Sequence, residues 1–250
     1  MNRTFFWLAL MVATNFPSCS LADSSEFFPM SKGTYWIYRS TLLWQDGDTI
    51  RSGKVDWKME VVDRIVRQDG VVAVLKGYPG DLAWFDPDRK PGDCLFVRIG
   101  ETKLYLLHGD VFDNVLQRLM RSGEPLANFV DDSKLILQLP LKKGARFGEE
   151  DQMNRQDSMY VWTVQEERRF SAAGIKGISG KKRIEYSVVF STNPDHIIAT
   201  FVPGVGITSY FYAHHGTVAE ADAKLVRFHS TSSSDAVVKS AVPGGHKSKH

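Results

Sequence analysis

Three histidines near the C-terminal end of the sequence are the residues best suited to chemistry. His214 and His215 are adjacent at the end of an aromatic run, and Asp195 and His196 lie in the segment before it. Imidazole can act as a general base or as a metal ligand, and a nearby carboxylate can orient the ring. A hydrolase or metal-dependent enzyme that uses His214, His215 or His196 is therefore one hypothesis for the function.

Strand geometry argues against a shared role for the two adjacent histidines. Neighbouring residues of a strand point to opposite faces, so His214 and His215 reach one metal ion only if a bulge, for example at Gly216, turns the chain. Ser179 and Lys182 match the Ser-x-x-Lys pattern of penicillin-recognising enzymes, but the two other motifs of that class are missing from the sequence. We therefore predict structural histidines, with no catalytic residue, metal site or cofactor assigned.

Aromatic side chains offer a second kind of site. They are more numerous than one face of a small sheet needs, so either they fill the core of a curved sheet or some of them line a concave apolar surface. The second interpretation predicts a ligand-binding set of Trp36, Trp57, Trp84, Tyr210, Tyr212 and His214. Its ligand would be a lipid, a hydrophobic peptide, a glycan or another envelope protein.

The elements that position these residues are predicted to be strands. Residues 55–61 alternate between apolar and polar side chains, and residues 71–75 form a continuous apolar run typical of a strand buried on both faces. Residues 194–228 contain three more segments around a Pro-Gly-Val-Gly corner at 203–206. The last of these segments also fits a helix, and we prefer a strand because the segment follows a glycine turn.

One stretch has helical periodicity. Apolar residues recur on one face of residues 110–121, Asp110 could cap the start, and Gly123 suits the end. The sequence thus predicts a mainly β protein, either a single antiparallel curved sheet or an open or partial barrel, with one short helix packed on it.

Two segments resemble each other. Residues 28–36 and 139–147 share proline, lysine and glycine at the same offsets and are apolar at both ends. Either the chain contains an internal duplication, or two similar turns arose independently.

The N-terminal segment predicts export. Arg3, an apolar run and small residues before Ala22 form a signal peptide at residues 1–22, followed by a β-rich domain at 23–230 and a disordered tail at 231–250. Lipid attachment at Cys19 is a less favoured alternative, because the residues before it match a lipoprotein signal poorly. Export places the mature protein in the periplasm or outside the cell.

Charge and cysteine content exclude several classes. Removal of residues 1–22 lowers the formal net charge from +2 to +1, which gives no electrostatic footprint for nucleic acid. No later apolar run reaches the length of a transmembrane helix. Cys94 would be the only cysteine left, and we predict that it is a small buried hydrophobic residue.

Three motifs resemble a group of uncharacterised exported bacterial proteins. They are the entry FFPMSKGTYWIY, the central LPLKKGARF, and FVPGVGITSYFYAHHGT followed by KLVRF. The resemblance implies an exported β-rich domain and brings no catalytic residues. The preferred interpretation is therefore a non-enzymatic envelope protein that binds an apolar ligand or a protein partner, with an enzyme and a purely structural module as alternatives.

Overall fold

The computed structural model describes residues 27–88, 90–179 and 182–231. The predicted signal peptide at 1–22, Cys19 and all but the first residue of the predicted tail at 231–250 lie outside these residues. So does the middle of the Ser-x-x-Lys segment.

The described chain forms twelve strands and one α-helix, together with short 3-10 turns. The strands are β1 (Tyr35–Asp46), β2 (Thr49–Arg67), β3 (Gly70–Lys76), β4 (Asp93–Ile99), β5 (Lys103–His108), β6 (Leu135–Gln138), β7 (Arg146–Gly148), β8 (Val161–Phe170), β9 (Arg183–Ser191), β10 (Asp195–Val202), β11 (Gly206–His214) and β12 (Ala219–His229), and the helix is α1 (Phe112–Arg121).

All twelve strands belong to one antiparallel sheet, in the order β6-β5-β4-β3-β2-β1-β12-β11-β10-β9-β8-β7. Consecutive strands therefore pair with each other everywhere except between β6 and β7, and the first strand pairs with the last. The two edge strands, β6 and β7, also lie close to each other, so the sheet is a barrel with one unpaired seam in mid-chain. This confirms the prediction of a curved antiparallel sheet or partial barrel, and the ambiguous last segment is a strand.

The polarity patterns place the core as expected. In β2, Trp57, Met59 and Val61 are buried, and the residues between them face solvent. Residues 71–75 are buried on both faces. The outer cover comes from the segment between β5 and β6, in which Leu119, Leu126 and Phe129 are buried.

The helix differs from the prediction at its start. It begins at Phe112, because residues 109–111 form a 3-10 turn, and no side chain caps its first turn. Two residues of the expected apolar stripe, Val111 and Met120, are exposed. The packed face consists of Phe112, Val115, Leu116 and Leu119, whereas Val111 lies in the 3-10 turn before the helix.

Aromatic rings fill the barrel from one end to the other. Trp36, Phe28, Phe96, Tyr78 and Tyr210 follow one another with centroid separations of 5.3, 4.8, 5.8 and 5.6 Å. A small cavity of about 20 Å³ remains beside Phe28. The aromatic residues thus form the packed core of this barrel.

The lid, defined as residues 77–88, closes one end of the barrel. It connects β3 to β4, yet its tip contacts β11 and β1, so it crosses the barrel mouth. Leu82, only 1% exposed, points into the core from the lid. The N-terminal segment 27–34 fills the opposite end, where the carbonyl of Phe27 accepts a hydrogen bond from Gly204.

The two similar sequence segments form the same corner. The amides of Gly33 and Gly144 donate to the carbonyls of Val61 and Val164, each over 2.8 Å. Both glycines have positive φ, 86° and 84°, which explains why glycine occupies these two positions. Each corner precedes one half of the sheet, which favours internal duplication over coincidence.

Candidate functional site

Asp195 organises the polar cluster at the lid end. It begins β10 directly opposite His214, the last residue of β11. Its Oδ1 atom accepts a hydrogen bond from the Tyr212 hydroxyl over 2.6 Å and lies 3.1 Å from Nδ1 of His214. Thr192 fixes the start of the strand, because its hydroxyl accepts from the Asp195 amide over 3.0 Å.

The surroundings keep Asp195 ionised. Partial burial alone would raise the pKa of its carboxyl, but the hydrogen bonds from Tyr212 and His214 outweigh burial, and the pKa lies below its usual value. Burial, together with the bond to the carboxylate, raises the pKa of Tyr212 well above that of a free tyrosine. A fixed carboxylate therefore lies beside a neutral phenol.

Trp84, at the tip of the lid, covers this cluster. Its ring centroid is 4.5 Å from that of His214, and the two planes meet at 57°. The residue has a φ of 55°, in a region that bulky residues seldom occupy, and its side chain is 46% exposed. A half-exposed indole thus packs on His214 from an unfavourable backbone conformation.

Four of the six predicted binding residues come together here. Trp84, Tyr212 and His214 are in contact, and Tyr210 lies beneath the lid against Tyr78. Trp36 and Trp57 lie elsewhere in the core, where their indole N–H groups donate to the carbonyls of Val205 and Gly77. A ligand-binding role for any of the six remains a prediction.

The three histidines do not converge. His196 points to the other face of the sheet, where its Nδ1 lies 2.7 Å from Oγ of Ser191. His215 is exposed, and its amide donates to the carbonyl of Pro194. Within the described residues, no group of three or more His, Cys, Asp or Glu side chains is arranged to hold a metal ion.

The cluster has some of the parts of a general base. A carboxylate that binds Nδ1 orients an imidazole and favours its proton-accepting form at Nε2. Asp195 and His214 have this relation, and the Ser191 to His196 contact is a separate pair on the other face. The arrangement can therefore accept a proton or bind a polar group beneath Trp84.

Sequence reasoning noted Asp195 beside His196 but did not pair it with His214. The pairing depends on the register between β10 and β11, which follows from the corner at residues 203–205 and the irregularity at Thr200 and Phe201. No local sequence pattern predicts the contact of Trp84 with β11, because the lid crosses from the other half of the sheet. Cys94 is buried as predicted, and burial raises its thiol pKa.

Comparisons with known proteins give structural neighbours only. No protein family model matches the chain, and no curated protein matches it. Among solved structures, it is similar to a candidate exported protein of Bacteroides fragilis described as having a YMCC-like fold, with 12% identity, a TM-score of 0.39, and coverage of 81% of this chain and 98% of that one. A candidate lipoprotein of Parabacteroides distasonis has 11% identity, a TM-score of 0.32 and the same coverage. In the part of the chain that the structure describes, no helix has the length and hydrophobicity needed to cross a bilayer.

Proposed function

We propose that the protein is an exported envelope protein that binds a partner at the lid end of its barrel and does not catalyse a reaction. The observation that carries this proposal is Trp84, a half-exposed indole that has a positive φ and packs on His214. Large aromatic side chains held rigidly at a surface are the usual anchors of binding sites. Export is inferred from the sequence pattern of residues 1–22.

Packing of the interior supports binding at the surface. The aromatic column from Trp36 to Tyr210 occupies the space that a carrier of lipids would leave open. Trp36 and Trp57 then contribute to the barrel by packing, and Trp84, which covers Tyr212 and His214, faces the partner.

Crosslinking from position 84 tests this function. Trp84 is replaced by p-benzoylphenylalanine, the full chain is produced in the native host, and intact cells are irradiated. We expect a discrete adduct to a partner from position 84 and none from the same replacement at Met120, which is 74% exposed at the other end. Equal labelling at both positions, or none at either, would favour a purely structural module.

The contact between Asp195 and His214 favours one second candidate, a hydrolase. In that case His214 is the base, Asp195 orients it, and Trp84 covers the substrate. Hydrolysis of a panel of p-nitrophenyl esters would be measured for the native protein and for His214→Gln. Turnover that disappears in this variant, while the folded fraction is unchanged, would establish the hydrolase and end the non-enzymatic proposal.

A further inference from the structure

A second feature of the lid end is an open cleft of about 380 Å³ between the lid and the hairpin of β1 and β2. Trp44 and Phe85 form its apolar wall, with ring centroids 5.1 Å apart and planes at 68°. Phe85 follows Trp84 directly, and the two aromatic residues at the lid tip pack against β1 and β11, the two strands on either side of β12.

The orientation of Trp44 depends on a glycine. A Cβ atom at Gly53 would lie 3.3 and 3.4 Å from two carbons of the Trp44 six-membered ring. Because Gly53 has no side chain, the indole can lie against the backbone of β2 and is supported from below. The wall of the cleft is therefore fixed by the strands and not only by the lid.

Polar groups form the rim of the same cleft. Nε of Arg51 lies 2.6 Å from Oδ2 of Asp46, and Asp86 lies across from them on the lid. The Oδ1 atom of Asp86 accepts from the amide of Asp88, which holds this carboxylate in place. Hydrogen-bond donors and acceptors thus lie next to an aromatic surface.

We propose that this cleft binds an uncharged saccharide chain. A sugar ring has an apolar C–H face that packs on an aromatic ring, and a rim of hydroxyls that both donate and accept hydrogen bonds. Trp44 and Phe85 match the first property, and Asp46, Arg51 and Asp86 match the second. A lipid tail would remove water from these three charged groups and offer them no hydrogen bonds in exchange, which is costly.

The charges of the cleft select against acidic sugars. Two carboxylates, Asp46 and Asp86, face one guanidinium, Arg51, so the rim is negative overall. Uronic acids and phosphorylated sugars would be repelled. The inference rests on the proposed function, because it names the ligand class for the same end of the barrel.

Calorimetric titration of the purified full chain tests the proposal. The probes are maltohexaose, cellohexaose, laminarihexaose and N-acetylated chitohexaose, with hexagalacturonate as the acidic comparison. We expect at least one neutral probe to bind and hexagalacturonate to bind more weakly. Trp44→Leu should weaken binding about tenfold, equivalent to about 1.4 kcal/mol. Ile50→Ala, on the same hairpin but outside the cleft wall, should leave binding unchanged.

Asp86→Asn keeps the side-chain oxygen that bonds to Asp88 and provides a second variant if Trp44→Leu does not fold. This change should weaken the binding of the neutral probes and reduce the difference in affinity between them and hexagalacturonate. The proposal is overturned if no neutral probe binds, if hexagalacturonate binds best, or if folded variants bind as the native protein does. If position 84 crosslinks to a protein but no saccharide binds, the proposed function stands and saccharides are excluded as the ligand of the cleft.

Discussion

The two halves of the sheet, β1–β6 and β7–β12, begin with the same corner but differ in what they add to it. In the first half, 16 residues separate β3 from β4 and form the lid and its return, whereas the equivalent connection in the second half is the three-residue turn between Ser191 and Asp195. The first half therefore supplies the lid, and the second supplies the short turn on which Asp195 is fixed.

The outer faces of the halves differ as well. The first is covered by α1 and the apolar residues after it. The second carries a polar network in which Glu185 accepts from Arg168 and from Thr208, over 2.7 and 2.9 Å. One frame thus supports two different surfaces, and the candidate site forms where the lid of one half meets the strand ends of the other.

Shortening the buried leucine of the lid should have the largest effect on stability. Leu82→Ala removes a leucine that is 1% exposed, and we expect a loss of about 3 kcal/mol in the free energy of unfolding. Leu119→Ala, equally buried but in the helix that covers the outer face of the same half, is the matched control. Chemical denaturation measures both. A loss below about 1 kcal/mol for Leu82→Ala alone would mean that the lid is not part of the core that joins the halves.

The cover of the first half depends on Arg67, whose guanidinium donates to the carbonyls of Leu119, Ser122 and Glu124 at the end of α1. Arg67→Met leaves these carbonyls unpaired, and we expect a loss of about 2 kcal/mol. Hydrogen exchange should become faster in α1 and stay unchanged in β9 and β10. Equal acceleration in both halves would show that the covers are not independent.

The corner glycines test whether the halves are equivalent. Gly33→Ala and Gly144→Ala each place a Cβ at positive φ, and an added Cβ finds open space or ordinary contact at both sites. Each variant should lose about 1–2 kcal/mol, and the two losses should be similar. Gly123→Ala, without positive φ and in open space, should not destabilise the protein. Thermal unfolding that differed strongly between the two corners would contradict their equivalence.

The smallest effect is expected at Asp195, whose contacts with Tyr212 and His214 lie in the second half. Asp195→Asn should cost about 1 kcal/mol at neutral pH, because it weakens the hydrogen bonds from Tyr212 and His214. The folded pKa of Asp195 is lowered, so its contribution is full above the unfolded pKa of about 3.9 and disappears as pH falls through the folded value. Chemical denaturation of the native protein and of Asp195→Asn between pH 3 and pH 7 should show a difference in the free energy of unfolding that shrinks below about pH 4. A constant difference would assign the effect to packing.

Local sequence patterns were sufficient to predict the sheet but not the candidate site. Alternation in residues 55–61 and the glycine turn at Gly216 act within a few residues, so strands and hairpins followed from sequence. The contact of Trp84 with His214 joins residues 130 positions apart across a barrel mouth, and no local period encodes it. The predicted start of α1 was wrong by two residues, because Asp110 lies in a 3-10 turn and does not cap the helix.

The pairing of β1 with β12 also bears on how the barrel is completed. The short turn between β1 and β2 lets β2 pair with one side of β1, but the other side of β1 stays open until β12, the last strand, folds against it. An open strand edge readily pairs with other chains. The edge of β1 is therefore exposed to other chains for longer during folding than it would be in a sheet assembled from one end to the other.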